Sequence, residues 1–230
     1  MDERLRTPWS AWDAVPVAIV AILATVLIGT ILALTLPRGI AFALVQLTFE
    51  VTLAFATLGW LHLRHRGSIA ALRVRSDRAR ADVGFGLMAG VGLFAVTVFA
   101  VAPLLFGLLA LITGDPVIPP DQEVLPPDPG TVDVSLVGVA VVLAAPVAEE
   151  LFFRGLLFGG LRRRFGFRAA ALISAAVFAA FHVLPLLMPL LFVVGLGLAW
   201  VYERRGSLLP AMAAHAAFNV IGYALILRAA

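Results

Sequence analysis

The stretch AAPVAEELFFRGLL, residues 144–157, sets two adjacent glutamates and an arginine inside a run that otherwise reads as membrane. Hydrocarbon solvates charge poorly, and an ionisable group at bilayer depth costs several kcal/mol unless it is paired. Glu149, Glu150 and Arg154 therefore each require a partner. The rest of the chain agrees about the solvent. Of its 230 residues, 62% are hydrophobic and 13% charged, too little charge to cover a soluble domain of this length.

Working outward, seven apolar runs approach the roughly 20 residues that a spanning helix needs. They lie at about 14–36, 40–63, 82–113, 134–158, 169–184, 186–203 and 208–227. The expected fold is all-α, a polytopic transmembrane helix bundle of about seven spans. Pro103 is expected to kink or end the long third run. Pro185 and Pro189 place a tight turn between the short fifth and the sixth. Residues 1–133 then form an N-terminal unit of three helices, and 134–230 a second bundle that holds most of the intramembrane polar groups. The first run follows Arg4 and Arg6 and is longer than a signal-peptide core, so it is expected as a retained anchor.

The loops give orientation. Arg64, Arg66, Arg73, Arg75, Arg78 and Arg80 crowd one loop, Arg162, Arg163, Arg164 and Arg168 another, and Arg204 and Arg205 a third. The segment 114–133 carries Asp115, Asp121, Glu123, Asp128 and Asp133 with six prolines and no base. By the positive-inside rule the arginine loops and the N-terminus are cytoplasmic, and the acidic, proline-rich segment is outside. These basic residues are topology signals in short loops, so the formal net charge of +3 gives no reason to expect nucleic acid. Cysteine is absent, which excludes a thiol nucleophile, a disulfide framework and a thiolate metal site.

Away from span ends, the ionisable residues are Glu50, Glu149, Glu150, His182 and His215, joined by Asn219, the single asparagine of the chain. His62 and His65 sit at the arginine-rich boundary and read as interfacial. Counted at 1.5 Å per residue from the arginine-marked face, Glu150, His182 and His215 fall at a common depth of roughly 15–21 Å. Glu150 and Arg154 are spaced i,i+4 in the favourable order for an ion pair. Glu149, about 100° around the helix, faces another neighbour. Two carboxyls side by side in a dry site do not both ionise easily, and one whose pKa is moved toward neutrality can act as a general base. Glu50, with Gln46 one turn earlier, gives the second helix a polar face, for which structural pairing, with Arg154 as a candidate partner, is the expected role and lining a substrate cavity the alternative.

Three ordered motifs, EELFFRG (149–155), FAAFH (178–182) and HAAFN (215–219), together resemble those of the CPBP intramembrane proteases. That family includes the type II CAAX prenyl endopeptidases and the bacteriocin-processing and immunity proteins of the Abi group. The resemblance covers about 140–225. It implies an endopeptidase in which Glu149 activates water with help from His182, His215 and Asn219 stabilise the oxyanion, and Glu150 and Arg154 orient the others. It also implies a peptide or protein substrate, contact with membrane lipid, and residence in a bacterial plasma membrane. The family is often labelled metalloprotease. Glu149, His182 and His215 would make a His₂Glu zinc site if a metal is bound. The same residues also support a metal-free mechanism, and no His-Glu-x-x-His signature is present. Two other readings use such residues. A proton-coupled transporter needs midplane carboxylates and histidines, although no inverted repeat is evident. A non-enzymatic immunity or scaffold protein would keep the fold, although it has no need of such costly buried groups.

Overall fold

The computed structural model describes residues 7–66, 68–74, 77–117, 125 and 129–229. Arg4, Arg6, Arg75, Asp121, Glu123 and Asp128 lie outside the described residues. Every regular element among those described is helical. The apolar runs form α1 (Ala14–Thr35) and α2 (Arg38–Arg64), then α3, which is continuous from Ala79 to Thr113. A helix from Thr131 to Phe181 breaks at Gly166, whose φ of 77° and ψ of 178° only glycine adopts without strain. The chain reverses there. Ser174 donates to the Phe153 carbonyl at 3.1 Å, and the Phe153 and Phe178 rings meet at 5.2 Å. In a straight helix, residues 21 apart would be about 30 Å from each other. The two arms are α4 (131–165) and α5 (167–181), so the expected fourth and fifth spans are joined by a single-residue turn. Next come α6 (Met188–Arg205) and α7 (Leu208–Ala229).

Five helices among the described residues are long and apolar enough to cross a bilayer: Ala11–Thr35, Arg38–Arg64, Ala79–Thr113, Thr131–Phe181 and Leu208–Arg228. The chain is an integral membrane protein. Its α5 arm is short, and α6 has 18 residues ending in Glu203, Arg204 and Arg205. Outward-facing Leu23, Leu27, Met88, Phe99 and Leu111 are all more than 60% exposed, as a lipid-facing surface requires. The hydroxyls of Thr25, Thr48 and Thr57 each donate to the carbonyl four residues earlier at 2.7 Å, so these donors are not left dry in hydrocarbon.

Pro103 does not end α3. A π turn at Thr97–Val101 precedes it, and a second π turn at Val139–Ala144 precedes Pro146 in α4. Proline has no N–H to give the preceding turn, and a widened turn accommodates that loss. A longer π segment, Glu150–Phe158, follows in α4, and all nine of its residues are buried.

At the arginine-marked ends, polar pairs tie neighbouring helices. Arg162 forks onto Glu203 at 2.8 and 3.1 Å, joining α4 to α6, and Arg205 pairs with Asp82 of α3. Asp13 accepts from the Trp60 indole at 2.8 Å and lies 3.0 Å from His65 Nε2. Trp9 is fully buried beneath α4, its indole donating to the Leu156 carbonyl at 3.1 Å.

The closest helix contact lies between α3 and α7. Added Cβ atoms on Gly86 and Gly90 would overlap the carbonyl oxygens of Pro210 and Ala214. This is small-residue packing of the kind that binds helices in lipid. Gly84, two residues before Gly86 and so on the opposite face of α3, meets nothing within 4 Å. Accordingly Gly90→Ala is expected to lower the midpoint of thermal unfolding in detergent, at a cost of about 1–3 kcal/mol. Gly84→Ala is expected to leave it unchanged or raise it, because the intrinsic helix propensity of alanine is higher.

Candidate active site

The site is built on the buried π segment of α4. Glu150 and Arg154 have no exposed surface, His215 is 4% exposed and Glu149 8%. Arg154 Nη1 donates to Glu150 Oε1 at 2.9 Å, and its Nη2 donates to the Gly195 carbonyl of α6 at 3.1 Å. The guanidinium also lies over the Phe178 ring, 4.6 Å from its centroid. Thus Arg154 joins α4, α5 and α6 around one charge.

Glu150 Oε1 also faces His215 Nδ1 on α7 at 3.1 Å. A carboxylate only accepts, so Nδ1 carries the proton and the ring is oriented by Glu150. The other nitrogen, Nε2, then points to Glu149 Oε2 at 4.0 Å. His215 therefore lies between the two adjacent glutamates. Glu149 Oε2 is buried without a hydrogen-bond partner in the protein.

His182 closes α5. Its Nδ1 donates to the Phe178 carbonyl at 2.8 Å, satisfying one of the orphan carbonyls of a helix C-terminus and leaving Nε2 with its lone pair. Val183 follows with a φ of 53°, strained for a β-branched residue, and turns the chain away directly after the imidazole. The Phe178 ring lies between the two histidines, 4.8 Å from His182 and 5.9 Å from His215. Among the described residues no hydrogen bond or ion pair joins His182 to Glu149 or His215.

Asn219, one turn beyond His215, donates from Nδ2 to the Val141 carbonyl at 2.8 Å. In this π turn the Ala145 N–H reaches back five residues to Ala140. The next N–H, due at Val141, belongs to Pro146 and does not exist. The Asn219 side chain replaces it. This structural duty was not visible from residue type alone, although Pro146 five residues after Val141 is its signal. A second amide N–H of Asn219 is left for other work.

Glu149, His182 and His215, the set that would hold zinc if a metal is bound, are not gathered around one point. Among the described residues, no three carboxylate or imidazole groups lie close enough to hold a metal ion. Each nitrogen of His215 faces a carboxylate, and His182 is one aromatic ring removed. Nor does Glu50 pair with Arg154, whose partners are Glu150 and Gly195. Glu50 instead lies close enough to Glu149 for their charges to interact.

The three motifs thus occupy one buried cluster, and a match to known proteins covers all of them. Residues 131–221 match the family model described as type II CAAX prenyl endopeptidase Rce1-like. Over this segment, under half of the chain, the protein is similar to that family. A curated relative, UPF0177 protein YxdF of Lactococcus lactis subsp. lactis (strain IL1403), is 31% identical over 86 residues. That match takes in 35% of this chain and 44% of the relative, so the chain spans less than half the length of the relative it matches. No solved structure matches the chain.

Replacing Arg154 by Met is expected to strand the Glu150 carboxylate and destabilise the fold by about 3–5 kcal/mol. Adding Glu150→Gln should recover most of that loss. Arg154→Lys should recover little, because one ammonium does not reproduce the fork onto Glu150 and Gly195. Denaturant midpoints in detergent for the single and double variants test this.

Proposed function

We propose that this protein is an intramembrane endopeptidase that hydrolyses a peptide bond with water activated by Glu149. The observation that supports it most is the buried chain of contacts Arg154–Glu150–His215–Glu149. In it Glu150 Oε1 is engaged twice, while Oε2 of Glu150 and Oε2 of Glu149 are both buried with no hydrogen-bond partner in the protein. The Rce1-like match over the same residues supports the reaction class.

In this reading the two glutamates have different duties because their surroundings differ. Glu150 Oε1 is committed to Arg154 and His215, which fixes it as an orienting group. Glu149 Oε2 has no competing donor and takes the proton from water as that water attacks the scissile carbonyl. His182 Nε2, kept available by the Nδ1 bond to Phe178, positions the water from the other side. As the tetrahedral intermediate forms, the second amide N–H of Asn219 donates to the oxyanion, and His215, its one proton held on Nδ1 by Glu150, lines the site beside Glu149. The proton held by Glu149 then passes to the departing amine. Each step uses only side chains of this chain. Burial strengthens every one of these interactions relative to water.

The test uses purified protein in detergent and a fluorogenic library of apolar peptides. Wild type is expected to cleave a subset, and Glu149→Gln to lower that rate by roughly 10²–10⁴-fold without changing thermal stability. Treatment with a zinc chelator is expected to leave the wild-type rate within twofold. Activity lost on chelation and restored by zinc would replace this mechanism with a metal-dependent one. Undiminished cleavage by Glu149→Gln would remove Glu149 from the reaction.

A further inference from the structure

Residues 7–13 form a strap across the arginine-marked end of α4, and α4 is shaped to receive it. Gly159 and Gly160 are the floor. A Cβ on Gly160 would come within 2.3 Å of the Ala11 nitrogen, and one on Gly159 within 2.9 Å of Thr7 Cγ2 and 3.4 Å of Trp9 Nε1. Trp9 is fully buried and Thr7 is buried beside it, although both precede α1. The other side of the strap is fixed to α2. Asp13 accepts from the Ser10 N–H and from the Trp60 indole, each at 2.8 Å, and the Trp9 ring meets His65 edge-on with centroids 6.3 Å apart. What the strap delivers to α4 is a hydrogen-bond donor. Trp9 Nε1 donates to the Leu156 carbonyl at 3.1 Å, inside the π segment Glu150–Phe158 and two residues beyond Arg154.

At the end of that segment the Gly159 N–H is shared between two carbonyls, Arg154 five residues back and Leu156 three back. One donor for two acceptors leaves the register open. Bonding to Arg154 continues the wide π turn, and bonding to Leu156 tightens it. The indole gives Leu156 a donor of its own and leaves Gly159 to Arg154. The register matters because Arg154 and Arg162, eight residues apart, both reach α6, at the Gly195 carbonyl and at Glu203. In a plain α-helix eight residues turn through about 800°, which leaves two side chains about 80° apart. A wider turn closes that gap. We infer that Trp9 is a positioning residue for the proposed reaction: its indole N–H holds the π register of α4 and so keeps Arg154, and through it Glu150 and His215, aligned beside Glu149. The inference rests on the peptidase reading above and adds to it a residue far outside the segment 131–221 that matches the family. Packing alone does not ask for an indole. A phenylalanine ring also fills an apolar slot, but it has no N–H for Leu156.

The test follows cleavage of a library peptide by the purified full chain. Trp9→Phe is expected to lower kcat roughly tenfold to a hundredfold, as misplaced reacting groups do, with KM within about twofold of wild type. Gly160→Ala, which keeps Trp9 but lifts the strap, is expected to act in the same way. Tyr223→Phe is the control. It removes a bond of the same kind at the other end of the same helix, from the Tyr223 hydroxyl to the Val134 carbonyl at 2.6 Å, and is expected to leave kcat unchanged. Trp9→Ala leaves a closed apolar slot of the kind that takes up small aromatic molecules. Added indole is expected to restore kcat in that variant, and indene, which has the same shape without the N–H, to leave it low. Thermal midpoints accompany each variant, so a folding defect is read separately, and Trp9→Phe carries the test if Trp9→Ala does not fold. A kcat in Trp9→Phe no lower than in Tyr223→Phe, or equal restoration by indole and indene, overturns the inference and leaves the peptidase reading standing. If wild type cleaves no library peptide, both fall together.

Discussion

A carboxylate with no exposed surface, at the middle of a helix in hydrocarbon, is the constraint to which the bundle answers. Glu150 is stable there only because Arg154 from its own helix and His215 from α7 both reach one of its oxygens. Arg154 in turn needs the Gly195 carbonyl of α6 and the Phe178 face of α5. Four helices are thereby held to one point by requirements that lipid cannot meet. Membrane helices lack a hydrophobic force to draw them together, so this polar core specifies the packing, and the surrounding apolar side chains fill it. A buried ion pair contributes little net stability, but losing one partner is costly. That asymmetry makes the arrangement specific.

Backbone and side chains solve a shared problem in α4. Pro146 deprives the Val141 carbonyl of its partner, the π turn widens, and Asn219 fills the gap from α7. Val139, Leu143 and Ala144 of the same turn face α2 across an apolar crevice. Close approach of α7 to α3 depends on the absence of side chains at Gly86 and Gly90. The helix that carries His215 and Asn219 is therefore positioned by polar contacts on one side and by small residues on the other.

Much of this is legible in the sequence because the physical signals are local. The hydrophobic runs, the i,i+4 spacing of Glu150 and Arg154, and the ordered motifs 149–155, 178–182 and 215–219 need no knowledge of tertiary structure. What is missed depends on contacts between distant segments. Pro103 reads as a kink or a helix end, and the backbone absorbs it as a π turn, an outcome that propensity alone does not contain. Glu50 reads as a structural pairing residue with Arg154 as a candidate partner, but that arginine already has two acceptors. The zinc alternative drew its ligands from the motif residues, and motif order alone does not bring three groups to a common point. The spacing of Gly86 and Gly90 was a readable small-residue signal for the α3–α7 contact. The single-residue turn at Gly166 was hidden within a loop that arginines had marked for topology alone.

Trp9 and Leu156 meet across 147 residues of chain, and His215 and Asn219 lie on α7, the last of the described helices. The buried cluster therefore joins pieces that leave the ribosome at widely separated times. Glu149 and Glu150 enter the membrane well before the imidazole that lies between them. Until α7 docks against Gly86 and Gly90, the carboxylates have no tuned neighbour and the Val141 carbonyl has no donor. For the proposed peptidase, the order of synthesis acts as a safety interval: a nascent chain surrounded by unfolded membrane segments stays inert while they are most vulnerable to hydrolysis.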